Sequence, residues 1–237
     1  MASGHPGDQR TPSITVRPAD GETTTVVLLL PGGKAESHAP ARSRQLSAVR
    51  MVPFARALHR TGRDRGTAVW TLRYRYRGWN GAEASPVADA RWALDEIRRR
   101  HGDLPVALVG HALGGRAALR VADDRSVHAV VALAPWLPTN EPVEAVRGRR
   151  VLIMHGTDDR WTDPRGSLLF ARRAQPLARL LRRVEVRGVG HSMLRRSALW
   201  RGLTTYFVEE SAISKAGSLR GPNINADAAR AEVRLLV

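Results

Sequence analysis

Three short segments of this chain carry groups able to do proton and acyl chemistry, and each follows a run that reads as a β-strand. In the first, "VALVGHALGG" (106–115), an apolar run breaks into Gly110-His111-Ala112-Leu113-Gly114-Gly115 and continues in a helical pattern. A sharp strand-to-helix turn presents the residue at its tip, position 112. It also aims the backbone N–H of Leu113 at the same spot, where the positive end of the helix favours negative charge. Glycines at 110 and 114 fit such a turn, because side chains there would collide with the neighbouring strand and helix. In the second segment, "HGTDDRWTDP" (155–164), Asp159 stands at the tip of a late strand with Asp158 beside it. A carboxylate there can orient an imidazole and stabilise its protonated form. In the third, "RGVGHSML" (187–194), His191 lies between a small-residue turn and a final helix, where a general base could reach the first turn. The residue at that tip is alanine, however, and a methyl group attacks nothing.

The elements that must position these groups alternate between strand and helix patterns. "SITVRP" (13–18) alternates like an edge strand, and "TTVVLLL" (24–30) is a short β-prone run of the kind covered on both faces. "SAVRMVPFARALHRTG" (47–62) predicts a helix with Pro53 in its first turn or at a kink. After a strand over 66–75, "SPVADARWALDEIRRRHG" (85–102) predicts an amphipathic helix capped by Ser85, with Pro86 at its first position. Strands over 105–110, 127–135 and 149–156 follow. A helix begins at Pro164, a strand lies within 178–188, and a helix covers 197–210. The pattern predicts an α/β class: a doubly wound, mostly parallel sheet with helices on both faces, whose functional loops lie at the carboxyl ends of the strands. Residues 1–11 read as a flexible N-terminus, 12–210 as one domain, and 211–237 as a Gly/Asn/Ser-rich tail that docks a short helix, "ADAARAEVRLL".

The 237 residues suffice for a packed core, with 43% hydrophobic and 25% charged side chains. No apolar run approaches the ~20 residues of a membrane span, no signal peptide is evident at the N-terminus, and there is no cysteine for a disulfide, thiolate or metal site. A cytoplasmic protein without metal or other cofactor is expected. The formal charge of +16 comes almost wholly from arginine, scattered in pairs and triplets along predicted helices. A solvated basic surface explains that scatter best, and attraction of an anionic or carrier-bound acyl substrate fits it better than a nucleic-acid site does.

Taken together, the glycine-flanked turn, the loop "LLLPGGKAES" (28–37), the pattern Gly156-x-x-Asp159 and His191 resemble the α/β-hydrolase superfamily, over about Ser13 to Glu210. The chain looks most like its small, capless serine hydrolases of the dienelactone-hydrolase and esterase type. The short segment Pro135–Arg149 leaves no room for a cap. The resemblance implies that Ala112 occupies the nucleophile position, Asp159 the acid and His191 the base. It also implies an oxyanion hole made by the backbone N–H of Leu113 with that of Gly33 or Lys34. Trp79, Trp136, Trp161 and Met193 fall in loops at the same sheet edge and are expected to line a substrate pocket, with His111 as a local packing and pocket residue. The implied chemistry is hydrolysis or transfer of an ester, thioester or lactone acyl group, in a form whose serine has become alanine. A natively non-catalytic binding protein, or a non-hydrolytic enzyme using His191 as base, is the alternative. The survival of every other part of the machinery favours the first.

Overall fold

In a computed structural model, residues 10–213 and the backbone of 233–235 are described. Eight strands form one sheet in the order β1-β3-β2-β4-β5-β6-β7-β8. They are β1 (Ser13–Arg17), β2 (Thr25–Leu30), β3 (Thr67–Arg73), β4 (Val106–His111), β5 (Val127–Leu133), β6 (Arg150–Gly156), β7 (Leu180–Val186) and β8 (Val233–Leu235). The six inner strands run parallel, and β1 and β8 pair antiparallel at the two edges. The doubly wound sheet expected from the sequence is therefore present.

The central strands need cover on both faces because side chains alternate along them. Val26, Leu28 and Leu30 of β2 face one layer, together with Val106 and Leu108 of β4. Helices α3 (Ser85–His101), α4 (Leu113–Arg120) and α5 (Pro164–Ala174) close that layer through Leu94, Ile97, Leu119 and Phe170. Val27, Leu29, Ala107 and Val109 face the other layer. There α2 (Val52–Gly62) and α6 (Ser197–Ile213) supply Phe54, Leu58, Trp200 and Phe207. The inner strands all run in the same direction, so the loops following β2, β4, β6 and β7 gather at one end of the sheet.

Local details depart from the pattern read above. The helix expected over 47–62 is two: α1 (Leu46–Val49) breaks at Arg50, and α2 restarts with Pro53 in its first turn, where a missing N–H costs nothing. Ser85 does not cap α3. The cap position is Ala84 at φ 45°, while the Ser85 hydroxyl is bonded to Glu83 and Asn80. The helix expected at the end of the chain gives way over Val233–Leu235 to a strand against Val184–Val186. This β-branched and leucine-containing stretch meets an open edge of β7, and edge pairing outweighs a weak helical pattern. The rest of that expected helix, and the flexible N-terminus apart from its last two residues, lie outside the described residues. α6 itself continues past 210 to Ile213.

Candidate active site

The turn between β4 and α4 has a conformation that L-residues rarely adopt. Ala112 sits at φ 51°, ψ −115°. Packing holds it there. Its N–H donates to Leu133 O (2.9 Å), and its carbonyl accepts from Trp136 N–H (3.1 Å) and Arg116 N–H (3.2 Å). The flanking glycines are steric necessities. A Cβ at Gly114 would meet the carbonyls of Leu30 and Pro31, and one at Gly110 the carbonyl of Gly114. The first turn of α4 therefore rests directly on the end of β2, bringing the loop after β2 to the methyl of Ala112. A Cβ at Gly32 would stand 3.5 Å from that methyl.

Two backbone N–H groups of these loops make no hydrogen bond among the described residues. Leu113 opens α4, so its N–H has no intrahelical acceptor. Gly33 N–H makes no hydrogen bond among the described residues. Lys34 is different: its N–H donates to Arg77 O (2.8 Å), where the loop bridges to Gly78. Of the two expected partners for Leu113, the Lys34 amide is thus committed elsewhere and the Gly33 amide is available.

The expected acid and the expected base are brought together. His191 Nδ1–H donates to Asp159 Oδ2 at 2.9 Å. The same oxygen accepts from the Thr162 hydroxyl (2.8 Å) and lies 3.3 Å from His155 Nε2. Asp159 Oδ1 accepts the N–H groups of Trp161 (2.8 Å) and Thr162 (3.0 Å). Burial alone would raise the pKa of this carboxyl. The hydrogen bonds from His155, His191, Thr162 and Trp161 outweigh it and hold the group well below the usual carboxylate range. Asp158 is exposed and accepts from its neighbour Thr157 (2.9 Å), so it is Asp159 that meets the imidazole.

Behind Asp159 a buried polar chain fixes the loop. His155 is wholly buried, with Nδ1 on Ser167 Oγ (2.9 Å), and Ser167 Oγ in turn accepts from Arg183 Nε (3.2 Å). His155, like His111, is expected from the sequence as a local packing and pocket residue, and it packs inside this loop; Thr162 has no sequence signal. Thr162 lies three residues beyond the acid, and nothing in its type or spacing distinguishes it from an ordinary loop threonine.

With Nδ1–H committed to Asp159, the other ring nitrogen of His191, Nε2, is left to exchange protons. Two rings pack against the imidazole. Trp161 stacks on it, with ring centroids 5.7 Å apart and planes 10° apart, and is itself 84% exposed. The His111 ring lies 4.7 Å away, and His111 Nε2–H donates to His191 O (3.1 Å). His111 adjoins Ala112 in the chain, so the His191 ring stands beside the elbow. Burial, then the nearby charges of His191 and Arg50, push the His111 pKa down to about 3, so this ring is neutral.

The residues expected to line a pocket divide. Trp161 lines, with His191, a cavity of about 270 Å³. Trp79 does not reach solvent: it is 3% exposed and edge-on to Trp136 at 6.2 Å. The guanidinium of Arg116 lies over both rings, 3.9 Å and 4.7 Å from their centroids, and pairs with Glu141 at 2.7 Å. Met193 is 3% exposed and belongs to the core layer under α2 and α6, and His111 is likewise buried. In a domain with no cap, large apolar side chains beside strand ends gain more by packing inward than by lining an open surface.

Solved structures share this architecture. An α/β serine hydrolase homologue from Coxiella burnetii superposes with a TM-score of 0.61 over 82% of this chain and 90% of its own, at 16% identity. A serine hydrolase without lid from Xanthomonas campestris gives 0.61 over 84% and 88%, also at 16% identity. Est1E from Butyrivibrio proteoclasticus, with ferulic acid bound, gives 0.62 over 85% and 95%, at 15% identity. The chain has the α/β-hydrolase fold. No family model matches its sequence, and no curated protein does. In this α/β-hydrolase fold, only the loop 134–149, with one 3-10 turn at Glu144–Val146, joins β5 to β6. No helix of the described residues is long and apolar enough to cross a membrane.

Proposed function

We propose that this chain is an acyl-transfer centre of the serine-hydrolase type in which alanine stands where the nucleophile belongs. The observation that carries the reading is the His191–Asp159 hydrogen bond of 2.9 Å beside a strained, glycine-flanked turn whose tip is Ala112. With serine at 112, the hydroxyl attacks an ester, thioester or lactone carbonyl while His191 Nε2 takes its proton. Asp159 stabilises the resulting imidazolium. The N–H groups of Leu113 and Gly33 receive the oxyanion at the positive end of α4. His191 returns the proton to the departing alcohol or thiol, and water or a second alcohol releases the acyl group from residue 112 by the reverse steps. The substrate is a small acyl compound.

In the chain as it stands no acyl-enzyme forms at position 112, because a methyl carbon has no electron pair to donate. The strained turn, both loop amides and a fully bonded Asp159 are parts a serine nucleophile would use, which supports reading alanine as a replacement of serine. The methyl itself favours a second reading, a binding protein that holds acyl ligands without turnover.

The two separate in one experiment. Ala112→Ser is compared with the unaltered chain on p-nitrophenyl acetate and butyrate. The first reading expects a rise on the order of 10⁵-fold or more in kcat, lost again when His191→Ala is added. A folded Ala112→Ser protein no faster than the unaltered chain overturns it and leaves the binding reading.

A further inference from the structure

Most guanidinium groups in and near the core have an acidic partner. Arg75 pairs with Asp89, Arg98 with Asp124, Arg116 and Arg120 with Glu141, Arg150 with Glu210, and Arg183 with Glu185. Arg50 is an exception of a particular kind. It stands where α1 breaks before α2, partly buried, and among the described residues its guanidinium has neither an ion pair nor a hydrogen bond. Burial lowers its pKa, as expected of a cation held away from water without a counter-charge. A partly desolvated, uncompensated guanidinium is costly in a folded protein unless an anion from outside completes it.

Arg50 lines the cavity of about 270 Å³ that also borders His191 and its stacked partner Trp161. Arg160 and Ser192 stand on the same walls, with Asp158 as the one carboxylate. Two guanidinium groups against one carboxylate leave the cavity positive. The Asp158 oxygen accepts from Thr157 and pairs with neither arginine. The cavity's volume accommodates a carboxylate or phosphate together with part of the group bearing it.

The position of the cavity says which part of a substrate reaches it. In acyl transfer the base hands its proton to the departing atom, so the leaving portion lies on the imidazole's side of the carbonyl. Trp161 stacked on His191 offers that portion an exposed aromatic face, and Arg50 offers a planar fork of donors suited to two oxygens at once.

We propose that this cavity is an anion subsite, in which Arg50, flanked by Arg160, binds a carboxylate or phosphate carried on the leaving-group portion of the acyl substrate. The proposal rests on the acyl-transfer reading for the identity of the leaving portion, but its test does not require turnover. The methyl at position 112 lets intact esters bind to the chain as it stands.

The probes are 4-acetoxybenzoate, 4-acetoxyphenyl phosphate, the neutral methyl 4-acetoxybenzoate, and monophenyl succinate, whose carboxylate lies on the acyl side. Titration calorimetry at one ionic strength gives each Kd. The two leaving-group anions are expected to bind at least about tenfold tighter than the neutral ester, and the tighter of the two identifies the oxyanion preferred. Arg50→Gln brings the ratio of charged to neutral ligand to within about twofold, whereas Arg50→Lys, which keeps the charge and loses the fork, retains part of it. Unchanged melting temperatures show that the variants are folded. Equal Kd values for charged and neutral esters overturn the proposal. So does a preference that survives Arg50→Gln, or one for monophenyl succinate over both leaving-group anions. Should these ratios fail while Ala112→Ser turns over neutral esters, the subsite is wrong and the acyl-transfer reading stands. Should the ratios hold while Ala112→Ser is inert, the site binds anions without that chemistry.

Discussion

The acid end of the proposed site and its elbow end are built to the same standard, yet on the proposed reading only one of them holds the atom its geometry serves. At the acid end, Asp159 receives hydrogen bonds from two backbone N–H groups, the Thr162 hydroxyl and His191, with His155 at 3.3 Å. Each carboxylate oxygen accepts two hydrogen bonds. At the elbow end, the backbone of Ala112 is held at positive φ by packing and by hydrogen bonds to Leu133, Arg116 and Trp136. Strain of that kind costs on the order of 1–3 kcal/mol, and what it presents is a methyl group. The comparison teaches that the elbow's shape is a property of the sheet and its glycines, independent of the residue at its tip. The acid end, by contrast, is a property of its side chains.

If that contrast is right, the two ends break in different ways. Gly114→Ala should give the largest effect. Its Cβ would enter the carbonyls of Leu30 and Pro31, backbone atoms that cannot swing aside, and a loss of about 3 kcal/mol or more in unfolding free energy is expected from denaturant titration. Asp159→Asn should cost less, about 2 kcal/mol, because the amide cannot accept from all the donors that converge there and a buried donor is left unpaired. The same variant in an Ala112→Ser background should abolish turnover, a readout that a stability loss in the folded enzyme does not produce.

His111, between the two ends, gives the most graded effect, and the smallest one near neutral pH. Its pKa is about 3 in the folded chain against an ordinary 6.5, so between those values the unfolded chain binds more protons than the folded one. The stability it permits is whole above pH 6.5 and is lost as the pH falls toward 3. The slope approaches about 1.4 kcal/mol per pH unit. Replacing it by His111→Gln, which keeps a donor toward His191 O, should flatten the pH dependence of stability between pH 7 and 5. An unchanged slope would show that this ring is not what titrates.

The sequence made the elbow legible because its glycines have a purely local reason to exist, as Gly110 and Gly114 show. The order of elbow, acid and histidine was likewise readable, since each follows a strand with strong β propensity. What side chains do once a fold is formed was not. Trp79 and Met193 sit in loops that suggest a pocket, and whether an indole turns inward depends on partners such as Arg116 and Trp136 that come from distant segments. The commitment of Lys34 N–H to Arg77 depends on a bridge between two loops 43 residues apart in the chain, as the Ser37–Asn80 bond beside it also shows. β8 was missed because an edge strand owes its existence to the strand it meets, here β7, more than to its own three residues. Arg50 carries no signal at all in a chain with so many arginines; its partial burial without an acidic partner, on the wall of the His191 cavity, emerges only in the fold.

The claim on which the rest depends is that His191 and Asp159 serve an atom at position 112. Treating folded Ala112→Ser with a fluorophosphonate probe and mapping the adduct by peptide mass spectrometry tests this directly. The account predicts an adduct on residue 112, absent in the unaltered chain and abolished by adding His191→Ala. A folded Ala112→Ser protein that takes up no probe, or takes it up at another residue, would contradict it.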